Sequence, residues 1–390
     1  MATTTALVLS EINAPFSFET VRLDALRPDE ALVEIHASGI CHTDLSCADG
    51  TLPAFAPAVF GHEVTDLAGA GIVKEIGSQV QHVAVGDKVL LSFAHCQQCA
   101  QCKDGHPAHC YSFKALNFGG TRPDGSSAMR RQEEQGGQAL YSRFFGQSSF
   151  SRHTVVSVSS LVKVPDTTDL ALFAPLGCGL QTGAGAVLNT LDVQAGSSVA
   201  VFGAGSVGMS AIMAAKMRRA KIIIAIDLQK SRLELASRLG ATHTLLGSDP
   251  DIVAKIGELA PPNGVNYAVD CTGVPAVIET MIQALGSRGH AASVGAPTVS
   301  LATVVGLGSR RASTSLPTSF TADAIPGVAR ATRFPARQII PYLMDEYAKG
   351  NYPVDKLVTF YDFGDFQQAI DDTKRGVALK AVLVWKDSTE

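Results

Sequence analysis

Ser198-Val-Ala-Val-Phe202 runs directly into Gly203-Ala-Gly-Ser-Val-Gly208, and apolar residues then recur at helical spacing from Val207 to Arg219. A glycine pattern alone is weak, but one that closes a buried-type strand and opens a helix leaves few folds open. Gly203 permits a tight turn, Gly205 lets the backbone approach a pyrophosphate, and Gly208 lets the helix pack on the strand. Ser206 and Val207 open that helix, whose amides and positive dipole end suit phosphate. Lys221 to Ile226 is the next strand, Ser231 to Leu239 the next helix, and Val265 to Val269 and Ala291 to Val294 continue the series. This alternation predicts an α/β, doubly wound parallel sheet covered on both faces. Asp227 ends the second strand, where an acid accepts hydrogen bonds from a ribose diol and repels a 2′-phosphate. NAD is therefore favoured over NADP.

The rest of the chain is built differently. The first ~160 residues hold short β-type runs between glycines, among them Ala31–Ile35, Gly71–Ile76 and Val85–Val89. Residues 119–139 are polar and Gly-rich and read as a long loop. After ~335 come a helix near Ile339–Lys349, a strand at Leu357–Tyr361, a helix near Phe363–Thr373 and a last strand at Ala378–Trp385. Gly306–Pro326 is Ser/Thr-rich and irregular, and no function is read from it. With 390 residues the chain exceeds one ordinary core, so two or more domains are expected.

A net charge of -4 offers no electrostatic reason for a nucleic acid or an anionic membrane as partner. Hydrophobic residues at 46% against 17% charged exclude a disordered chain. The N-terminus lacks a basic stretch followed by a long apolar one, and no run approaches the ~20 apolar residues of a membrane span. A cytoplasmic protein is expected.

Cys96-x2-Cys99-x2-Cys102-x7-Cys110 is a strong metal signal. Four thiolates on short loops match a closed, tetrahedral, structural zinc site. They fill the tetrahedron, which leaves out the neighbouring His95, His106 and His109. A second set is dispersed: Cys41 in Gly39-Ile-Cys-His-Thr-Asp44, His62 in Gly61-His-Glu63, and Cys178 between two glycines. Taken singly, each fits a core cysteine or a satisfied histidine as well as a ligand, and spacing does not bring the three together. Cys47, Cys271 and Trp385 read as core packing.

Taken jointly, CHTD, GHEV, the four-Cys cluster, GCGLQTG and VFGAGSVG resemble the zinc-dependent alcohol dehydrogenases of the medium-chain dehydrogenase/reductase superfamily, over essentially the whole chain. Phe144-Phe-Gly-Gln-Ser-Ser-Phe150 looks like the aryl (benzyl) alcohol dehydrogenase branch. The resemblance implies a GroES-like, β-rich catalytic domain over 1–178 and 332–390, with a structural-zinc lobe near 95–111. A Rossmann NAD-binding domain over 179–331 would interrupt it.

The resemblance further implies two zinc ions per subunit. Cys41, His62 and Cys178 would hold the catalytic one. Asp44 matches the acid that orients the His ligand, Glu63 the acid behind the metal, and Thr43 the hydroxyl that hydrogen-bonds the alcohol. His42 and Lys380 match positions on the pyrophosphate, and Arg232 one near the adenosine ribose. Ser46 stands where many relatives end a proton relay with His. Position matching puts Leu52, Ser92, Phe144 and Phe145 on the substrate side. The implied reaction is hydride transfer between NAD(H) and a primary alcohol or aldehyde, aryl or allylic, such as a phenolic intermediate of secondary metabolism. The implied assembly is a homodimer or homotetramer. A reductase of conjugated C=C bonds is the competing enzyme, but its site often lacks the threonine that this chain keeps at Thr43. A non-catalytic zinc scaffold is the other alternative, against which the intact ligands and Asp227 argue.

Overall fold

A computed structural model describes residues 2–61, 69–132, 137–295, 320–321 (backbone only) and 335–386. The chain divides into two compact units. The first comprises Met1–Gly179, Phe334–Asp345 and Val354–Glu390, and the second comprises Leu180–Arg333 and Glu346–Pro353.

In the first unit the central strand is Glu30–Gly39, along which buried and half-buried residues alternate up to Ala37. This period-two pattern turns Ala31, Val33 and Ile35 into a core with Val73, Val89, Leu91, Val156 and Leu161. Each fully buried Val, Leu or Ile side chain among these contributes roughly 1.5–3 kcal/mol. The strand pairs antiparallel with Ala70–Ile76, with His153–Ser157, and with the C-terminal strand Ala381–Val384. The end of the chain thereby returns to the sheet that its beginning built. A second sheet has the order Ala58–Val59, Thr3–Leu9, Phe16–Leu23, Met129–Arg131 and Ala139–Leu140.

Met129–Arg131 lies within residues 119–139, expected from sequence to be one long loop, and Ala139–Leu140 begins at the end of that stretch. Arg122 donates to both carboxylate oxygens of Glu30 and to the carbonyls of Ser127 and Ala25, while Ser127 Oγ bonds the carbonyls of Met129 and Leu140. Side chains from distant positions order a backbone whose own composition is that of a turn. Residues 133–136 lie outside the described residues.

The second unit is a parallel sheet in the order His243–Leu246, Ile222–Asp227, Ser198–Phe202, Val265–Asp270, Leu285–Ser293 and Phe320–Thr321. In order of appearance these are strands 3-2-1-4-5-6, the dinucleotide-binding arrangement whose direction reverses beside the first strand. Ala200, Phe202, Ile224, Ile226 and Ala268 fill the core on one side. Residues 346–353, expected in the catalytic domain, group with this unit instead, and the other limits differ from expectation by one or two residues. Tyr352 is fully buried there and shares a hydrogen bond with Ser210 Oγ. Most of Gly306–Pro326 lies outside the described residues. Trp385 stacks on Phe363 at 4.0 Å.

Candidate metal centre and nucleotide site

The Sγ atoms of Cys96, Cys99, Cys102 and Cys110 all lie within 4.8 Å of one another. Those of Cys96 and Cys102 are 3.9 Å apart, close to the ~3.8 Å that tetrahedral Zn–S bonds of ~2.3 Å require. Amides already point at the sulfurs: Cys99 N at Cys96 Sγ and Cys96 N at Cys110 Sγ, both at 3.3 Å. The amides of Tyr111 and Cys102 pull the Cys99 thiol down to about 6, so the ligand form is favoured there without a metal. Burial pushes Cys102 and Cys110 the other way. The donor set fits zinc, and the three nearby histidines stand outside it.

Cys41 is fully buried at the N-cap of the short helix His42–Ala48. Its Sγ accepts from the amide of Thr43 at 3.0 Å, and its own amide donates to Asp44 Oδ2 at 3.2 Å, a reciprocal capping box with cysteine in the usual place of serine. Asp44 Oδ1 accepts from Gly61 N at 3.1 Å. Asp44 therefore binds together the segment carrying Cys41 and the segment that leads into His62. Thr43 and Ser46 are buried on the same helix, whereas His42 is exposed. His62 and Glu63 lie outside the described residues. Cys178 is buried and follows Gly177, whose carbonyl accepts from Ser92 Oγ at 2.8 Å. The buried side chain of Lys380 directs Nζ at the carbonyl of Ile40, 3.4 Å away, next to Cys41.

Of the four substrate-side residues, Leu52 is half-buried and donates its amide to Ser46 O, while Ser92 is buried at the Gly177 carbonyl. Phe144 and Phe145 meet edge to face at 5.1 Å and then diverge. Phe145, at φ 54°, is fully buried against Phe113 and Phe118. Phe144 packs on Phe60 and faces a narrow apolar cleft, also lined by Phe55, Phe118 and Tyr141. Phe55, Phe60, Phe118 and Tyr141 were missed in the sequence, because isolated aromatics carry no signal of convergence. Cys47 is a buried thiol whose burial drives it well above the usual range, and Cys271 is only half-buried.

In the second unit Gly203 has φ +91°, and a Cβ at Gly208 would run into the Gly203 carbonyl. Both glycines are therefore required by the turn. Ser206 Oγ, at the start of the helix Ser206–Met217, is buried without a hydrogen-bond partner among the described residues. An orphan donor beside helix N-terminal amides fits a phosphate. Asp227 accepts from Ala204 N at 2.7 Å and Gln229 N at 2.8 Å, and Arg232 Nη1 is 3.8 Å away. The acid that would bind ribose also holds the glycine loop.

A β-rich unit with four clustered thiols, joined to a 3-2-1-4-5-6 nucleotide-binding sheet, defines a zinc-type dehydrogenase. Residues 27–166 match the alcohol dehydrogenase GroES-like domain, and residues 206–320 match the zinc-binding dehydrogenase family. Geraniol dehydrogenase of Castellaniella defragrans is 39% identical over 97% of this chain and 97% of its own length. The crystal structure of an alcohol dehydrogenase zinc-binding domain protein from Burkholderia ambifaria superposes with TM-score 0.88 at 42% identity, covering 99% of this chain and 100% of that one. Benzyl alcohol dehydrogenase of Acinetobacter calcoaceticus gives 0.87 at 36% identity, with the same coverage. The chain belongs to the zinc-type alcohol dehydrogenases of the medium-chain dehydrogenase/reductase superfamily. No single helix among the described residues is long and apolar enough to cross a membrane.

Proposed function

We propose that this chain transfers hydride between NAD(H) and primary aryl or allylic alcohols and aldehydes, holding one zinc on Cys41, His62 and Cys178 and a second on the four-Cys cluster. The observation that carries the substrate class is the cleft at Phe144, whose lining is aromatic on several sides. Flat faces and edges suit a planar ring or conjugated chain, with each aromatic contact worth ~0.5–1.5 kcal/mol beyond area burial. Relatives named for geraniol and benzyl alcohol, an allylic and an aryl primary alcohol, support the same class.

Zinc, when bound, supplies Lewis acidity that lets an alcohol ionise near neutral pH. The nicotinamide supplies the hydride chemistry. The chain does the rest. Thr43 accepts the alcohol proton through its hydroxyl and passes it towards the cofactor ribose, with Ser46 or water beyond. Gly203 to Gly208 and the amides of Ser206 and Val207 take the pyrophosphate, and Asp227 takes the ribose diol in preference to a 2′-phosphate. The aromatic walls orient the substrate and keep water away. The test is kcat/KM for benzyl and cinnamyl alcohol against ethanol and hexanol, in wild type and Phe144→Ala. Ring and conjugated alcohols should lead in wild type and lose most of their advantage in the variant. Equal efficiencies, unmoved by the substitution, would defeat the aryl and allylic reading.

A further inference from the structure

The run Gln147-Ser148-Ser149-Phe150 is fully or almost fully buried, yet it is not regular secondary structure. Phe145 and Ser148 hold positive φ, at 54° and 53°, on either side of a turn through Gly146. Left-handed backbone is unfavourable at non-glycine residues, so surrounding contacts must enforce it. Those contacts lead in three directions.

The amides of Ser149 and Phe150 donate to the carbonyls of Gly61 and Phe60, and Ser148 Oγ donates to Val59 O at 2.6 Å. Gly61 sits so close that a Cβ there would collide with the Phe150 amide, and its φ of +78° also favours glycine. The run thus grips the three residues that lead into His62. Ser149 Oγ shares a hydrogen bond of 2.9 Å with Ser38 Oγ, three residues before Cys41. Gln147 Nε2 donates to Ser92 O at 2.9 Å, and Ser92 Oγ donates to the Gly177 carbonyl that precedes Cys178. Gln147 itself is anchored by Thr154, whose hydroxyl donates to its carbonyl. One short strained run therefore touches the approach to all three residues of the dispersed set.

We propose that Gln147–Phe150 is a positioning clamp, which presets the Cys41, His62 and Cys178 segments for one metal ion. The inference rests on the reading of those three residues as a metal centre. None of the four touches the reacting atoms. Gln147 acts through Ser92, Ser149 through Ser38 and the Gly61 carbonyl, and Ser148 through Val59. Because Phe144 opens the same turn, the segment also ties the aromatic wall to the metal-binding loops.

The experiment uses the zinc-loaded full-length chain and measures release of each zinc to a chelator, with the four-Cys zinc as internal control. Gln147→Leu and Ser149→Ala should each release the dispersed-site zinc roughly 10–100-fold faster, as supporting partners of metal ligands do. The four-Cys zinc should be unaffected. Cobalt replacing zinc at the dispersed site should show altered thiolate-to-metal and d–d absorption in both variants. Ser92→Ala should mimic Gln147→Leu, and the double variant should add little to either, since one path carries both effects. A lowered thermal midpoint with wild-type zinc release and an unchanged cobalt spectrum would make the run merely structural and overturn the clamp. Should Gln147→Leu fail to fold, Ser149→Ala, which deletes one oxygen, carries the test. Wild type holding one zinc that Cys41→Ser leaves in place would overturn the metal-centre reading itself. Two zincs in wild type with unaltered release in every variant would overturn the clamp alone.

Discussion

The backbone amide of Thr43 donates to the Sγ of Cys41, while the Thr43 hydroxyl plays no part in that bond. One residue thereby holds the sulfur with its main chain, while its side chain is the one proposed to take the alcohol proton. Thr43→Val preserves the amide, so zinc and NAD binding should persist while alcohol oxidation falls. Loss of a positioned proton-transfer group costs ~10²–10⁴-fold in turnover. Ser46→Ala should cost far less. Near wild-type oxidation by Thr43→Val would remove Thr43 from the mechanism and favour reduction of conjugated C=C bonds.

The four-Cys cluster and the proposed dispersed site would hold separable metals. Metal analysis should find close to two zincs per chain, falling to about one in Cys41→Ser with the fold retained. Serine at Cys99 or Cys102 should instead lower the thermal midpoint, because structural zinc contributes directly to folding. Joint loss of both metals in Cys41→Ser would contradict independent sites.

Asp227 holds the Ala204 amide and, in the proposed reading, also takes the cofactor ribose. Asp227→Ser removes the repulsion of a 2′-phosphate, so the NADP-to-NAD ratio of kcat/KM should rise. It also deprives the Ala204 amide of its acceptor, so KM for both cofactors should increase. A wild type that already prefers NADP, with Arg232 beside it, would reverse this reading.

Phe145 and Phe144 should respond differently to truncation. Phe145→Ala opens a cavity in a packed aromatic cluster and should cost ~3–5 kcal/mol of stability in a denaturant titration. Phe144→Ala should act mainly on substrate preference. A specificity change of equal size in both variants would show that the two rings serve the same wall.

Burial alone would raise the Glu30 carboxyl, but the Arg122 hydrogen bond, the Arg143 charge and the Arg27 amide outweigh it and hold the group low. Its folded pKa is thus below the unfolded value of about 4.3. The stabilisation is complete above that unfolded value and is lost as pH falls through the folded one. Glu30→Gln takes from buried Arg122 and Arg143 the carboxylate they share, leaving Arg122 only Asp24 at 3.8 Å, and should cost ~3–5 kcal/mol near neutral pH. Urea midpoints should show the gap between wild type and variant narrowing in acid; a gap independent of pH would assign the loss to packing.

The Gly203 turn, the strand that precedes it and Asp227 were legible because they lie within one strand–helix–strand unit. The four-Cys spacing was legible because its ligands lie close together along the chain, and the structure adds the convergence of the four sulfurs and the amides aimed at them. Gln147 was visible merely as part of a family-like stretch. Its bonds span 55 residues to Ser92, and no local period encodes such a bond. Likewise Arg122 reaches Glu30 across 92 residues, which is why a stretch with loop composition became paired strands.

By itself, then, the sequence determined what short-range chemistry can determine: a parallel nucleotide-binding sheet, a thiol cluster able to close on zinc, and a cysteine, hydroxyl and acid within the four residues Cys41 to Asp44. Helical and strand periods, glycine turns and closely spaced ligands act over a few residues, so they survive in a one-dimensional string. Only the tertiary structure decided that Asp44 would join Cys41 to Gly61, that Phe144 would face a cleft while Phe145 entered the core, and that Gln147 and Ser149 would reach the approaches to three distant residues. Those relationships arise when burial removes water and every polar atom must find its partner wherever the fold has carried it.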